Sequence, residues 1–354
     1  MKTYKILIMG ASYGSLLGAK LLLAGHTVKL VCLPAEAALI NQEGIRIRMP
    51  VKGVDGLVEI DSRKLPGKLS ADVPQAVNPA DFDLVALAMQ EPQYGAPGVR
   101  ELLLAVANAR VPCMSIMNMP PLPYMNRLPG IDAKSCRSAY TDPVVWDRFD
   151  PALMTLCSPD PQAFRPPEEK PNVLQVRLPT NFKAARFESD QHTAILRALA
   201  ADIEAVRFDT PSGPIELPVK LKVFDSVFVP LAKWSMLLAG NYRCVQKDGI
   251  RSIQEAVHSD VAASKAMYDW VGSVCRTVGA AENDLVPFQK YANAATGLAS
   301  PSSAARALAG GARNIERVDR LVQMVAAQKG MRSDALDELV SLVDARLEAN
   351  RRAA

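Results

Sequence analysis

Histidine and paired cysteine are scarce in this 354-residue chain, and the scarcity excludes whole classes of site. The three histidines, His26, His192 and His258, are too few and too dispersed for a histidine-rich metal centre. The six cysteines, Cys32, Cys113, Cys136, Cys157, Cys244 and Cys275, include no C-x-x-C pair, which argues against a zinc site or a disulfide framework. No apolar run is long enough to span a bilayer: residues 222–231 come closest, but the stretch is short and carries Asp225 and Pro230. The first residues lead straight into a strand-like run without signal-peptide architecture. Internal repeats and low-complexity segments are missing too. A cytoplasmic, soluble protein with no membrane partner is therefore expected, and the length suits two domains.

The formal net charge of +4 is spread through mixed-sign sequence. The densest arginines, Arg306, Arg313, Arg317 and Arg320, are followed by Asp and Glu, the pattern of a solvated helix face. Nucleic acid is accordingly not an expected partner.

What is present begins with a βαβ pattern. Residues 4–9 (YKILIM) form a short apolar run bounded by Gly10, as a buried parallel strand would be. Residues 15–24 (SLLGAKLLLA) read as a helix closed by Gly25, and residues 26–32 (HTVKLVC) as a second strand. The pattern recurs in a strand at 83–89, a helix at 99–109 and a strand at 112–117. From there to about residue 180 the chain is rich in proline, and irregular loops with short strands are expected. Residues 191–205 read as a helix, and the turn-rich 210–218 (TPSGPIELP) as a boundary. Beyond it, residues 219–238, 253–278 and 314–349 carry helical periodicity, and 351–354 read as a frayed tail. The expected fold is α/β: an N-terminal Rossmann-type doubly wound sheet (1–209) followed by a mostly α-helical domain (210–354).

The turn Gly10-Ala11-Ser12-Tyr13-Gly14 stands where a nucleotide-binding domain places its phosphate loop. There, a small residue lets the backbone approach pyrophosphate, and the helix N-terminus offers amides and the positive dipole end. Gly10 would make the tight turn, Gly14 or Ser15 would admit the phosphate, and Gly18 would let the helix pack on the sheet. Ser12 replaces the glycine at the third position of G-x-G-x-x-G. The same residues also spell G-x-S-x-G, the nucleophile elbow of serine hydrolases, so a hydrolase acting through Ser12 is a minor alternative. At the end of the second strand the sequence offers neither acid nor base; Glu36 and Arg63 are the nearest substitutes for contacts to a ribose or its phosphate.

The segment GASYGSLLGAKLLLAGHTVKLV, the EGIRI of residues 43–47 and the FDLVALAM before Gln90 resemble the ketopantoate reductases. The resemblance spans most of the chain, least well in the proline-rich middle. It implies NADP as cofactor, with NAD left open, and reduction of a small 2-keto acid in a cleft between a Rossmann domain and a helical domain. Residues 228–243 (FVPLAKWSMLLAGNYR) are similar to the helix that carries the family's catalytic residues. Lys233 matches the lysine that protonates the carbonyl oxygen, Leu237 replaces the first asparagine, and Asn241 matches the second. Without the resemblance, Lys233 also reads as a snorkelling surface lysine. Ser302 matches the serine that binds the substrate carboxylate, and Asn118 the asparagine after the fourth strand. Gln90 stands where a lysine commonly holds the cofactor phosphate. Counted without gaps, the catalytic glutamate falls on Asn314; Glu316 is two residues further on. A homodimer is expected from the apolar helices of the second half. These departures leave open a second reading, a Rossmann scaffold repurposed for metabolite or nucleotide binding, or for non-redox catalysis.

Overall fold

The apolar run that opens the chain forms β1 (Lys5–Met9) in the computed structural model, which describes residues 2–353. After it come α1 (Tyr13–Leu23), β2 (Thr27–Val31) and α2 (Pro34–Glu43), so the expected βαβ unit is present. The chain continues through β3 (Arg46–Pro50), β4 (Leu57–Asp61), β5 (Lys68–Asp72), β6 (Leu84–Leu87), α3 (Val99–Ala109) and β7 (Cys113–Ile116). A single turn, α4 (Leu122–Met125), precedes β8 (Met154–Ser158), β9 (Gln162–Phe164), β10 (Val173–Leu178) and β11 (Phe182–Ala185). Then follow α5 (Asp190–Ala205), the hairpin of β12 (Phe208–Thr210) and β13 (Gly213–Ile215), and β14 (Leu221–Phe224).

Two compact units result. One comprises the chain up to Met89 with Gln93–Tyr124 and Val145–Asp225; the other comprises Gln90–Pro92, Met125–Val144 and the chain from Ser226. The first unit thus runs to Asp225 rather than to residue 209. The cause is β14, which pairs in parallel with β11 and extends the sheet at its edge. The stretch 219–238, expected to be helical, accordingly splits, and α6 (Ala232–Met236) begins only after the strand and a short 3₁₀ turn.

The main sheet has the order β14-β11-β8-β7-β6-β1-β2-β5. From β8 to β5 every neighbouring pair is parallel, with Ile6 beside Val28 on one side and beside Leu84 on the other. β11 runs antiparallel to β8. β6, β7 and β8 are buried along their whole length, as strands covered on both faces must be. From β1 the chain proceeds to β2 on one side and later returns to β6 on the other. That is a topological switch point, where open α/β sheets bind ligands at the strands' C-terminal ends. A smaller sheet, β4-β3-β10-β9, completes this unit. Because α1 touches β1, β2, β3 and α5, every residue from Gly14 to Leu23 is buried.

The second unit is helical: α6, then α7 (Ile253–His258), α8 (Val261–Thr277), α9 (Phe288–Ala295), α10 (Ser303–Ala309), α11 (Val318–Gln328) and α12 (Asp334–Arg352). Its helix starts are written in the sequence. Ser252 forms a capping box with Glu255, and Asp260, Ser302 and Ser333 cap α8, α10 and α12 with their side chains. α8 buries Met267, Tyr268, Val271, Val274 and Cys275, a stripe at helical spacing. α12 extends through Arg352, so the expected fraying at 351 and 352 is not seen; Ala354 lies outside the described residues. Among the described residues no helix is long and apolar enough to cross a membrane.

Candidate functional site

In the first unit, the turn after β1 has the geometry that a phosphate loop needs. Gly10 has φ +105°, and a Cβ there would lie 2.7 Å from Met89 Cγ and 2.8 Å from the Ala88 carbonyl oxygen. Only glycine fits. The Ser12 side chain caps no amide of α1 and no acid stands in the helix's first turn, so no acidic side chain offsets the positive end of the dipole; the Ser15 amide donates to the Ser12 carbonyl at 3.0 Å. Ser15 instead turns its hydroxyl back to the Ala11 carbonyl at 2.5 Å. Gly14 serves packing, since a Cβ there would meet Ile8 Cγ2 at 2.6 Å; Gly18 has room, with Val28 3.5 Å from its notional Cβ. The close approach of α1 to the sheet therefore falls to Gly14.

A strap borders this loop. Since β8 is parallel to β7, β6, β1 and β2, its end at Ser158 lies on the same sheet edge as Gly10 and Cys32. From there the chain passes the start of α1, where the Tyr13 hydroxyl donates to the Pro161 carbonyl at 2.9 Å. It then reaches α2, where Arg165 forms an ion pair with Glu36. Arg165 keeps its Nε buried without an acceptor. Glu36 and Arg165 flank Cys32, whose thiol is pushed up to about 12, chiefly by burial and next by Glu36. Of the two residues considered for the ribose end, Glu36 lies beside Cys32 at the end of β2. Arg63 does not, being paired with Asp61 on the small sheet. Arg165, unnoticed in the proline-rich stretch, is the cation that stands at the end of β2. Asn118 is half-buried, two residues past the end of β7. Gln90, exposed and one residue beyond Met89, groups with the second unit and offers an amide where a lysine would offer charge.

In the second unit, Lys233 sits on α6, only 9% exposed. An α-helix advances about 100° per residue, so eight residues would leave Asn241 about 80° around from Lys233. The helix instead widens into a π turn over Leu237–Asn241, where the Tyr242 amide donates to the carbonyl of Leu237, five residues back. The wider turn takes back part of that offset and brings Asn241 toward the Lys233 face. Its cause lies on α9: the Tyr291 hydroxyl reaches into the helix beside Gly240 and donates to the Met236 carbonyl at 3.0 Å. π turns of this kind recur at functional sites.

Ser302 is brought to Asn241, but by its cap role. Its hydroxyl donates to the Asn241 carbonyl at 2.7 Å and accepts from the Ala305 amide at 3.1 Å, and the residue is buried. The proton that would bind a substrate carboxylate is thus already committed. Asn314 is exposed and accepts from Arg351 at 3.1 Å, whereas Glu316, two residues on, is buried. Tyr242 pins the Glu316 segment to the end of the π turn, donating to the Glu316 carbonyl and accepting from the Val318 amide at 3.0 Å. The Glu316 carboxylate accepts from the Glu91 amide at 3.3 Å. Glu91, itself buried, accepts from the Thr141 amide at 3.0 Å, and burial raises its own carboxyl. Glu316, which the ungapped count passes over, is one of three buried carboxylates of this region, with Glu91 and Asp319.

No family model and no curated protein matches the sequence. Solved structures do match, along nearly the whole chain. The ternary structure of D-mandelate dehydrogenase with NADH and anilino(oxo)acetate aligns at a TM-score of 0.65, with 16% identity over 98% of this chain and 99% of that one. The fold is that of the ketopantoate reductases. A candidate ketopantoate reductase from Ralstonia solanacearum MolK2 aligns at 0.67, with 15% identity over 99% of each chain. The dimeric ketopantoate reductase from Staphylococcus aureus aligns at 0.62, with 10% identity over 98% and 99%. The hydrolase alternative finds no support at Ser12, because its hydroxyl has no histidine partner among the described residues. His26 lies 3.3 Å from Asp202 and accepts from the Tyr4 amide, and His258 bonds the Ala292 carbonyl.

Proposed function

We propose that this protein is a nicotinamide-dependent oxidoreductase that reduces a small 2-keto acid or a related carbonyl. The observation that carries this reading is the end-to-end fold match to keto-acid reductases, together with a glycine turn that only glycine can make, at an uncapped helix N-terminus. The residues present fit the cofactor. Gly10, Ala11, Ser12, Tyr13 and Gly14 would hold its pyrophosphate on the α1 amides. At the ribose end, Glu36 would accept a hydroxyl, and the Arg165 guanidinium, a third exposed beside it, would favour NADP over NAD by offering positive charge to the extra phosphate. Bound there, the nicotinamide supplies hydride.

The chain's own residues would do the rest. Lys233 would donate a proton from Nζ to the carbonyl oxygen as negative charge develops on it. Asn241 would orient the substrate from the same helix face, and Asn118 would orient it from the sheet edge. Glu316, rather than Asn314, is the carboxylate suited to hold the lysine's proton inventory, because an asparagine side chain cannot exchange one. We assign Ser302 a positioning role, through the Asn241 carbonyl that it bonds. A homodimer, the state of the Staphylococcus aureus neighbour, is the assembly that we propose.

Titration of the purified protein with NADPH and with NADH tests the reading, followed by nicotinamide fluorescence and thermal stabilisation. Saturable binding of either, with 2-keto-acid turnover that falls at least a hundredfold in Lys233→Ala, is the expected result. Unchanged turnover in that variant would remove the lysine from the mechanism. The strap fastened across the loop by Tyr13 and Arg165 favours one rival, the scaffold repurposed for a non-redox role. Failure of a folded protein to bind either cofactor would transfer the assignment to that rival.

A further inference from the structure

We infer that the second unit carries a binding site for a small oxyanion-bearing metabolite, a phosphate ester or a polycarboxylate, in the cavity between the start of α11, α12 and residues 138–141. The cavity measures about 570 Å³, ample for such a ligand. Its wall includes Arg317, Arg320, Arg351, Asn314, Ser138 and Thr141; neither Lys233, Asn241 nor Ser302 lines it.

Charge balance on this wall is unequal. Arg317 is fully matched: it clamps Asp319 through two nitrogens, at 2.9 and 2.8 Å, and reaches Asp344 at 2.5 Å. Among the described residues Arg320 has only the other oxygen of that same Asp344, and its Nε is buried without an acceptor. Among the described residues Arg351 meets only neutral oxygens, the Asn314 side chain at 3.1 Å and the Arg313 carbonyl at 3.0 Å. The remaining wall carboxylate, Glu348, is paired with Arg352. One guanidinium without a counter-charge and a second with a spare donor therefore face one polar cavity, beside the hydroxyls of Ser138 and Thr141. Guanidinium forks match the planar or tetrahedral oxygens of carboxylate and phosphate. An occupant would touch both segments that Glu91 ties together, residues 138–141 through Thr141 and residues 314–317 through Asn314. The inference uses this unit alone and does not depend on the reductase reading.

Inorganic phosphate and citrate, each titrated into the full-length protein at ionic strength held constant with chloride, probe the site by thermal shift and calorimetry. At least one should stabilise the wild type saturably, and Arg320→Gln combined with Arg351→Gln should weaken that binding at least tenfold. A response to phosphate alone identifies the ester class, one to citrate alone the polycarboxylate class, and one to both their shared oxyanion chemistry. Should the double variant fail to fold, Arg351→Lys, which keeps the charge and loses the fork, takes its place with the same expected weakening. The inference is overturned if neither anion acts beyond chloride, or if the response survives in the variants, which would locate binding elsewhere, as at the α1 N-terminus. Neither cofactor need bind for the anion result to stand.

Discussion

Gly240→Ala interrogates the π turn that sets the Lys233 face, and its consequences can be worked from distances. A Cβ at position 240 would fall 1.9 Å from Tyr291 Oη, 3.2 Å from its Cζ and 3.3 Å from Val257 Cγ2. Ordinary contact between such atoms is about 3.5 Å, so the tyrosine must retreat by roughly 1.5 Å. Retreat breaks its 3.0 Å bond to the Met236 carbonyl. Overpacking costs about 1–3 kcal/mol and the lost hydrogen bond about 1 more, so about 3 kcal/mol of destabilisation is expected. Tyr291→Phe alone loses only the hydrogen bond, about 1 kcal/mol. In the double variant the offending oxygen is gone, and the cost should fall about 2 kcal/mol short of the sum of the singles, as expected for residues in direct contact. Urea unfolding of the four proteins measures that coupling. Turnover is a second readout, since regularising the turn rotates Asn241 away from Lys233. Additive effects within about 0.5 kcal/mol would refute the claim that Tyr291 and Gly240 together make the turn.

Lys20 yields a prediction in pH. It is 2% exposed on α1, where its Nζ donates to the carbonyls of Leu217 and Pro218, just before Val219 with its left-handed φ of +65°. Burial first, and Lys220 second, lower its pKa from 10.5 to about 7. Below pH 7 folded and unfolded chains both hold the proton. Between about 7 and 10.5 only the unfolded chain does, so stability should rise with pH across that window, by up to about 5 kcal/mol at 1.36 per unit. Denaturant unfolding of Lys20→Met from pH 6 to 10 should show a flatter slope than wild type; equal slopes would show that Lys20 titrates normally. Arg165→Ala should weaken NADPH binding at least tenfold and NADH binding less than twofold, measured by fluorescence titration. Equal losses for both cofactors would mean that Arg165 acts on the strap and not on the ribose phosphate.

The parts of the fold that were legible in the sequence are those set by neighbouring residues. Gly10 and Gly25 punctuate the first strand and helix, and the α3 boundaries at Val99 and Ala109 follow from apolar spacing. β14 was not legible, because Leu221-Lys222-Val223-Phe224 is too short to separate a strand from the front of a helix; pairing with β11 decides it. The candidate site was less legible for the same physical reason. Lys233 and Asn241 can be placed on one helix by counting, yet their alignment depends on Tyr291, fifty residues downstream in a different helix. Ser302 looks like a ligand by position until its hydroxyl is found bonded to Asn241. Arg165 gains meaning only once the strap carries it to Glu36. Counting residues past Ser302 falls on the exposed Asn314, whereas the burial of Glu316 against Tyr242 and Glu91 shows only in the folded chain. Each of these side chains is positioned by a contact remote in sequence, and such contacts leave no periodicity behind. Variants at the remote partner, Tyr291 for the helix and Glu36 for Arg165, therefore separate site geometry from site chemistry more cleanly than variants of the site residues themselves.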